Sequence, residues 1–313
     1  MALITSTKKF QRTYTMQIQG IDGNIYNIGS ENGESLLTLE FSVKRNVLAS
    51  AQTGNFRIRN LNASVRAQIY KDWFDTGRMP TLILKAGYVG TPLSTIFNGI
   101  ALSITSYREE GGTDFITEIE GQDYSLIMSN SFSHWTIGDT NSPVSQADVI
   151  NRLIGDLKLT ATKYGKTLST GIVGDFLSSR YTYTANDYTW HLLQVETDRL
   201  SYIDNGKIYC LPNNYVFEGD VNLISSDTGL LGSPRRYQSN LIAEMVFEPS
   251  MIPGQQVYLD TELSLNFNSS KNGTYKVTGV QHAGVISSSV NGKCKTAVTL
   301  QLIGTPVVIG FRL

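Results

Sequence analysis

Catalysis needs nucleophiles, acids or metal ligands that converge, and the side chains that could serve here are few and scattered. The three histidines, His134, His191 and His282, form no HExxH or HxH pair that would seat a metal. His191 follows Trp190 in a helical pattern, where a packed or hydrogen-bonded imidazole is the ordinary role. Cys210 and Cys294 stand outside any CxxC spacing and read as buried thiols. Two carboxylates flanking a sugar could come only from Glu109, Glu110, Asp114, Glu118 and Glu120. Glu109 and Glu110 fall in a Gly-rich loop, and Glu118 and Glu120 lie two apart on one strand face beside Ile116, a pattern of surface or interface. GIVGDF at 171–176 and TGLLGSP at 228–234 lack the GK[ST] ending of a phosphate loop, and no GxSxG elbow occurs. No catalytic residue, metal site or cofactor is expected. Arg235 and Arg236 make too short a basic run for nucleic acid, but suit acidic residues of a partner.

The elements that would position these residues are mostly strands. From Lys9 to Gly121 apolar and polar residues alternate, as in Leu37, Leu39, Phe41 and Val43, which predicts antiparallel β closing as a barrel or sandwich. Asp22-Gly23, Asn32-Gly33 and Gly111-Gly112 mark its hairpin turns. NASVRAQIYKDWFDTG interrupts it as a helix with Val65, Ile69 and Trp73 on one face, Ser64 as N-cap and Gly77 beyond its end. In the middle third, Val149, Ile150, Leu153, Ile154 and Leu157 recur at helical spacing, and NDYTWHLLQVETDRL predicts a second helix with an Asn or Asp cap. Asn205-Gly206 between two apolar runs is the strongest short hairpin signal. Alternation returns from Leu230, placing Cys294, Thr296, Val298, Leu300 and Leu302 on one face. The fold class is therefore mainly β with an α+β insert: a β domain at 1–121, an inserted α+β domain at 122–226 and a second β domain at 227–313. The hairpins NGIALSITSYREEGGTDFITEIEG and NGTYKVTGVQHAGVISSSVNGKCKTAVTLQLIG share a layout, a weak internal repeat.

The totals narrow the function class. Of 313 residues only 17% are charged, against roughly 25% in typical soluble domains. Lys and Arg number 26 and Asp and Glu 27, so no basic footprint exists for gripping a phosphate backbone. A surface this poor in charge suits a packed assembly. The N-terminal stretch has no signal-peptide core, and no run of about 18 apolar residues follows, so synthesis in the cytoplasm and no membrane insertion are expected.

The order of the parts carries a resemblance. LKAGYVGTPLSTIFNGIALSITSYREEGGTDFITEIEGQD resembles a segment shared by tailed-phage hub proteins, in which a strand ends in AGY, a turn and a Gly-terminated strand follow, and a long hairpin ends before an Asp. NDYTWHLLQVETDRLSYIDNGKIYCLP resembles the middle domain of that family, and SSDTGLLGSPRR with FEPSMIPGQQVYL its later segment. Together these cover about nine tenths of the chain. The resemblance implies a baseplate hub of a contractile-tailed phage, related to the hub part of type VI secretion spikes. It implies two tube-like antiparallel β-barrel domains flanking the insert, and a homotrimer whose pseudo-sixfold ring joins a hexameric tail tube protein to a trimeric spike protein. Tape measure and baseplate wedge proteins are further implied partners, with DNA passing through the lumen and no specific nucleic-acid binding, in a virion. Within the resembling segment Gly87 reads as close packing or an unusual backbone angle, Tyr88 as a buried ring with a bonded hydroxyl, and Gly99 as the glycine closing the next strand. Val308 and Phe311, in the apolar TPVVIGFRL, read as an interface with a neighbour or spike. Nothing resembles an appended lysozyme or spike β-helix. The alternatives are a tail-associated cell-wall hydrolase using the acidic hairpin, and a glycan-binding module using some of the 16 Tyr and 3 Trp.

Overall fold

The computed structural model describes residues 3–4, 9, 11–48, 51–212, 215–237, 240–261, 273–289 and 292–303. Alternation along the N-terminal part becomes β1 (Leu3–Ile4), β2 (Arg12–Gln19), β3 (Ile25–Ser30), β4 (Leu39–Asn46), β5 (Thr53–Arg59), helix α1 (Ala63–Ile69), β6 (Thr81–Tyr88), β7 (Ser94–Arg108) and β8 (Phe115–Gln122). The central part forms α2 (Ser125–Met128), β9 (Phe132–Ile137), β10 (Val144–Ser145), α3 (Gln146–Lys163), β11 (Ser169–Val173), β12 (Ser179–Arg180), β13 (Tyr183–Tyr188), α4 (Thr189–Glu196), β14 (Ser201–Asp204) and β15 (Lys207–Cys210). The last part is β16 (Phe217–Ile224), β17 (Arg235–Tyr237), β18 (Asn240–Val246), β19 (Gln255–Leu259), β20 (Gly273–Ile286) and β21 (Cys294–Leu302).

One large, mostly antiparallel sheet runs through the first and last parts, in the order β1-β16-β19-β20-β4-β5-β8-β7-β6-β2-β3, with β21, β18 and β17 branching from β20. The join is the antiparallel pairing of β4 with β20, from Leu39↔Ile286 to Asn46↔Gly279. Asp22-Gly23 and Gly111-Gly112 turn their hairpins as the sequence predicts, with Gly23 at φ +80° and Gly111 at φ +72°. Asn32-Gly33 turns the chain but makes no hairpin, because β3 pairs only with β2 while β4 lies between β20 and β5.

Separate apolar clusters fill the interior. One gathers Tyr14, Met16, Leu39, Phe41, Phe56, Leu84 and Phe97 of the first strands, together with Phe247 and Ile286 of the last part. A second is built on α3, which buries Val149, Ile150, Leu153, Ile154 and Leu157 as their spacing predicts. A capping box between Ser145 and Asp148 starts α3. A Schellman closure ends it: Lys166 N–H donates to Ala161 O and Gly165 N–H to Thr162 O, each at 2.9 Å, with Gly165 at φ +67°. The third cluster joins Val257, Tyr275, Val277, Val298 and Leu300.

Four local features differ from the expectation. Helix α1 is capped by Asn62, whose side chain accepts from Ser64 N–H, and it stops at Ile69 instead of continuing toward Gly77. Lys71 ends it by pairing its backbone with Ile104, which leaves Trp73 54% exposed. Helix α4 starts directly from β13, with Tyr188, the last strand residue, at the N-cap position and no side-chain cap bond, so Asn186 and Asp187 lie too far back, in the strand paired with β9. On β21 the buried face runs through Thr296, Val298 and Leu300, but Leu302, at the strand end, is exposed.

Gly99 is where the backbone has least room. A Cβ there would press into the Gln122 carbonyl and Asp123 Cα, where β7 passes the end of β8. Gly99→Ala should therefore destabilise the fold by roughly 1–3 kcal/mol, read as a lower urea midpoint with unchanged slope.

Candidate assembly face and its buried junction

Pairing β4 with β20 brings outward side chains of the first and last parts onto one surface. Glu40 stands opposite Arg57 of β5, which stands opposite Glu118 of β8 and then Thr105 of β7. The next row is Ser42, Asn55, Glu120 and Ser103. Across β20 and β21 the face continues as Ala283, Gln281 and Ala297, to Glu244 of β18. Its charges alternate. Arg57 Nε meets Glu118 Oε1 at 2.6 Å, Arg59 Nη2 meets Glu40 Oε1 at 3.0 Å, and Lys295 Nζ meets Glu244 Oε2 at 2.7 Å. Tyr107 donates its hydroxyl to Glu118 at 3.0 Å, which raises the phenol pKa.

Of the carboxylates considered for sugar hydrolysis, Glu118 is thus paired in this ladder and Glu120 stands in its next row. Glu109 and Asp114 face Arg59 at 3.5 and 3.8 Å. Among the described residues no cluster of His, Cys, Asp and Glu has metal-ligand geometry, and no helix is long and apolar enough to cross a membrane. His134 bonds Asn186 at 3.0 Å and His191 bonds Asp187 at 2.8 Å, both exposed. Cys210 is buried, which pushes its thiol up to about 12, and Cys294 is half-buried and pushed up to about 11 by the same desolvation.

The AGY segment is a weld between strands. Tyr88 is 6% exposed, its hydroxyl donates to Phe247 O at 2.7 Å, and its ring centroid lies 6.2 Å from that of Phe247. Burial raises its pKa well above the ordinary phenol range, so the donor stays protonated. Gly87 provides close packing, with a Cβ there only 3.0 Å from Leu93 Cδ2. Arg235 and Arg236 are exposed on β17, which pairs with β18 at the end of the branch and away from Tyr88 in the strand order. Val308 and Phe311 lie outside the described residues.

Behind the polar face is a buried ionic junction that sequence reading missed. Arg45, 2% exposed, donates Nε to Asp204 Oδ1 at 2.7 Å and Nη2 to Asp204 Oδ2 at 2.6 Å. Its Nη1 reaches Met251 O at 3.4 Å. One guanidinium therefore ties β4, the hairpin of β14 and β15, and the loop before β19. The hairpin is fixed by its own turn, with Asn205 at φ +48° and Gly206 at φ +75°, and by Asn205 Nδ2 donating to Thr95 O at 2.9 Å. Close by, Asp123 accepts from Gln52 N–H at 3.0 Å and Ser125 N–H at 3.1 Å, and burial pushes its carboxyl up to about 6. His282 is fully buried, its Nδ1 3.0 Å from Thr296 Oγ1 and its ring edge-on to Phe247. Burial, helped by the charge of Arg45, pushes its pKa down to about 3.

No protein-family model matches the chain, and no curated protein matches it by sequence. Solved structures do. A tail protein from Neisseria meningitidis superposes with TM-score 0.56 over 93% of this chain and 97% of its own, at 9% identity. The 43 kDa tail protein of prophage MuSo2 from Shewanella oneidensis gives 0.56 over 92% and 97%, at 7% identity. An Escherichia coli component of the type VI secretion system, described as structurally similar to T4 bacteriophage tail proteins, gives 0.51 over 88% and 75%, at 10% identity. At such identities the likeness is one of fold, and it is the fold of the phage tail and type VI secretion proteins that the motif order resembles.

Two outcomes follow from the junction. Arg45→Ala leaves Asp204 buried without its partner and should cost about 3–5 kcal/mol, whereas Arg45→Met with Asp204→Leu should recover most of that in urea unfolding. His282 binds its proton more weakly folded than unfolded, so its contribution is present above pH 6.5 and is lost as pH falls toward 3. Between those values wild type should lose about 1.4 kcal/mol per pH unit relative to His282→Gln, measured by unfolding at each pH.

Proposed function

We propose that the chain is a structural baseplate hub of a contractile phage tail or of a particle derived from one. The observation that carries this reading is the shared fold, which spans 92–93% of this chain and 97% of two tail proteins, one of them from a prophage. In this reading residues 1–121 and 227–313 are two tube-like β-barrel domains and 122–226 an α+β insert between them. Three copies, each contributing two tube-like domains, form a pseudo-sixfold ring. One side of that ring meets a hexameric tail tube and the other a trimeric spike, with tape measure and baseplate wedge proteins as further neighbours. The hub is made in the host cytoplasm and resides in the virion.

The polar ladder is assigned to the lumen. Lys44, Arg57 and Lys295 stand on it against Glu40, Glu118, Glu120 and Glu244, so it presents alternating charge without a basic track. A wall of this kind attracts a polyanion weakly and lets it move, whereas a lysine-rich wall would hold it. The chain is read as non-enzymatic, with wall digestion and puncture left to partners.

The test is the solution mass of the purified chain, alone and mixed with spike protein. Three chain masses of 34.6 kDa, in either condition, is the expected result. A monomer in both would count against the hub.

A further inference from the structure

Two lysines are buried without an ion-pair partner among the described residues. Lys166, 8% exposed, directs Nζ to Thr81 Oγ1 at 2.7 Å and Gln19 Oε1 at 3.4 Å, and desolvation lowers its pKa. Lys71, 4% exposed, is held by the carbonyl oxygens of Asp72, Asp75 and Leu102. They line adjoining hollows that share Arg78, Met79 and Tyr164, with Lys163 on the rim, and neither hollow has an Asp or Glu in its lining. Ile21, Ile25 and Trp73 edge the groove, each about half exposed at 55%, 49% and 54%. Asp72 and Asp75 lie close enough to Lys71 to favour its charge, and Asp75 also meets Arg78 at 3.7 Å, so Lys166 is the ammonium left without a counter-charge; that burial is costly, and the apolar edge around it marks a place where another surface docks.

This groove lies at the C-terminal end of α3, where the Schellman closure places Lys166. An 18-residue helix is about 27 Å long, and its other end has the opposite character. There Gln146 N–H donates to Ser178 O, and β10 pairs with β12, which fixes the segment 174–181 beside the helix start. Leu177 is 93% exposed and Tyr181 67%, while Asp175 and Asp139 are exposed beside them. Leu177 is the most exposed large apolar side chain among the described residues.

We propose that these ends are two halves of one head-to-tail contact, in which the Asp175–Leu177 knob of one copy seats in the Lys166 groove of the next. The proposal rests on the trimeric hub reading and names the surfaces its subunits use. Pairing like ends would oppose like charges. Pairing unlike ends brings the Asp175 carboxylate to Lys163, Lys166 and Arg78 and covers the apolar edge with Leu177 and Tyr181. Unlike surfaces at opposite ends generate a heterologous contact, which closes as a ring when the rotation between copies is one third of a turn, as the trimeric hub requires.

Two variants separate the halves: Lys163→Ala with Lys166→Met in the groove, and Asp175→Ala with Leu177→Ser on the knob, each checked for wild-type circular dichroism. Each alone should be monomeric under conditions where wild type is trimeric. An equimolar mixture retains one complementary pair of surfaces and should stop at dimers. A wild-type-like trimer from either variant overturns the contact while leaving the hub reading intact. A second arm does not depend on ring assembly: a fluorescein-labelled peptide of residues 171–180 is titrated by anisotropy against the knob variant, whose groove is intact and open, and against the groove variant. The groove variant should bind at least tenfold more weakly than the knob variant. Equal binding, or none to the knob variant, overturns the contact. If wild type is monomeric alone and with spike protein, the hub reading fails on its own test and the peptide titration decides the contact.

Discussion

The ion pair of Arg45 with Asp204 is the constraint on which the rest of the structure depends. Removing both charges from water costs several kcal/mol per ion before the bidentate geometry offsets it, so the pair holds only if the surroundings keep both groups in place. They do so from three directions: β4 carries Arg45, the Asn205-Gly206 turn fixes Asp204, and Met251 O occupies the remaining guanidinium edge. Shifting any of these by an ångström would strand a charge in the interior. The pair therefore sets how the first strands, the central hairpin and the last strands meet. The nearby neutral His282 and the hydrogen-bonded Asp123 are consequences of the same dry interior.

With the junction fixed from behind, the opposite face of β4 is free to form a continuous polar surface. Its apolar alternates, Phe41 and Val43, pack inward while Glu40, Ser42 and Lys44 face out, and the β4–β20 pairing extends that pattern into the last part. Tyr88 and Phe247 close the same seam at the strand ends. In the proposed hub, two β regions per copy would give twice as many walls as there are copies, which is what matching a threefold spike to a sixfold tube requires.

Much of this was legible in the sequence because it is local. The spacing of Val149, Ile150, Leu153, Ile154 and Leu157 announced α3, and Asn205-Gly206 announced its hairpin. What failed was non-local. The AGY segment does not name the acceptor of its tyrosine, since Tyr88 donates to Phe247 O, 159 residues along the chain. The alternation through Leu39, Phe41 and Val43 continues to Arg45 and puts it on the inward face, but its partner Asp204 lies 159 residues away and no local pattern names it. The end of α1 depends on Lys71 pairing with Ile104, a contact that helical periodicity through Trp73 does not encode. Asn32-Gly33 has hairpin composition, yet its flanking strands pair elsewhere, because turn chemistry fixes a local bend and not the sheet order.

End-on electron micrographs of the chain assembled with its spike protein test the central claim most directly. The account predicts a closed ring of three subunits with near-sixfold modulation and a central opening walled by the face of Arg57, Glu118 and Glu120. Particles without threefold symmetry, or rings carrying that face on their outer rim, would contradict it.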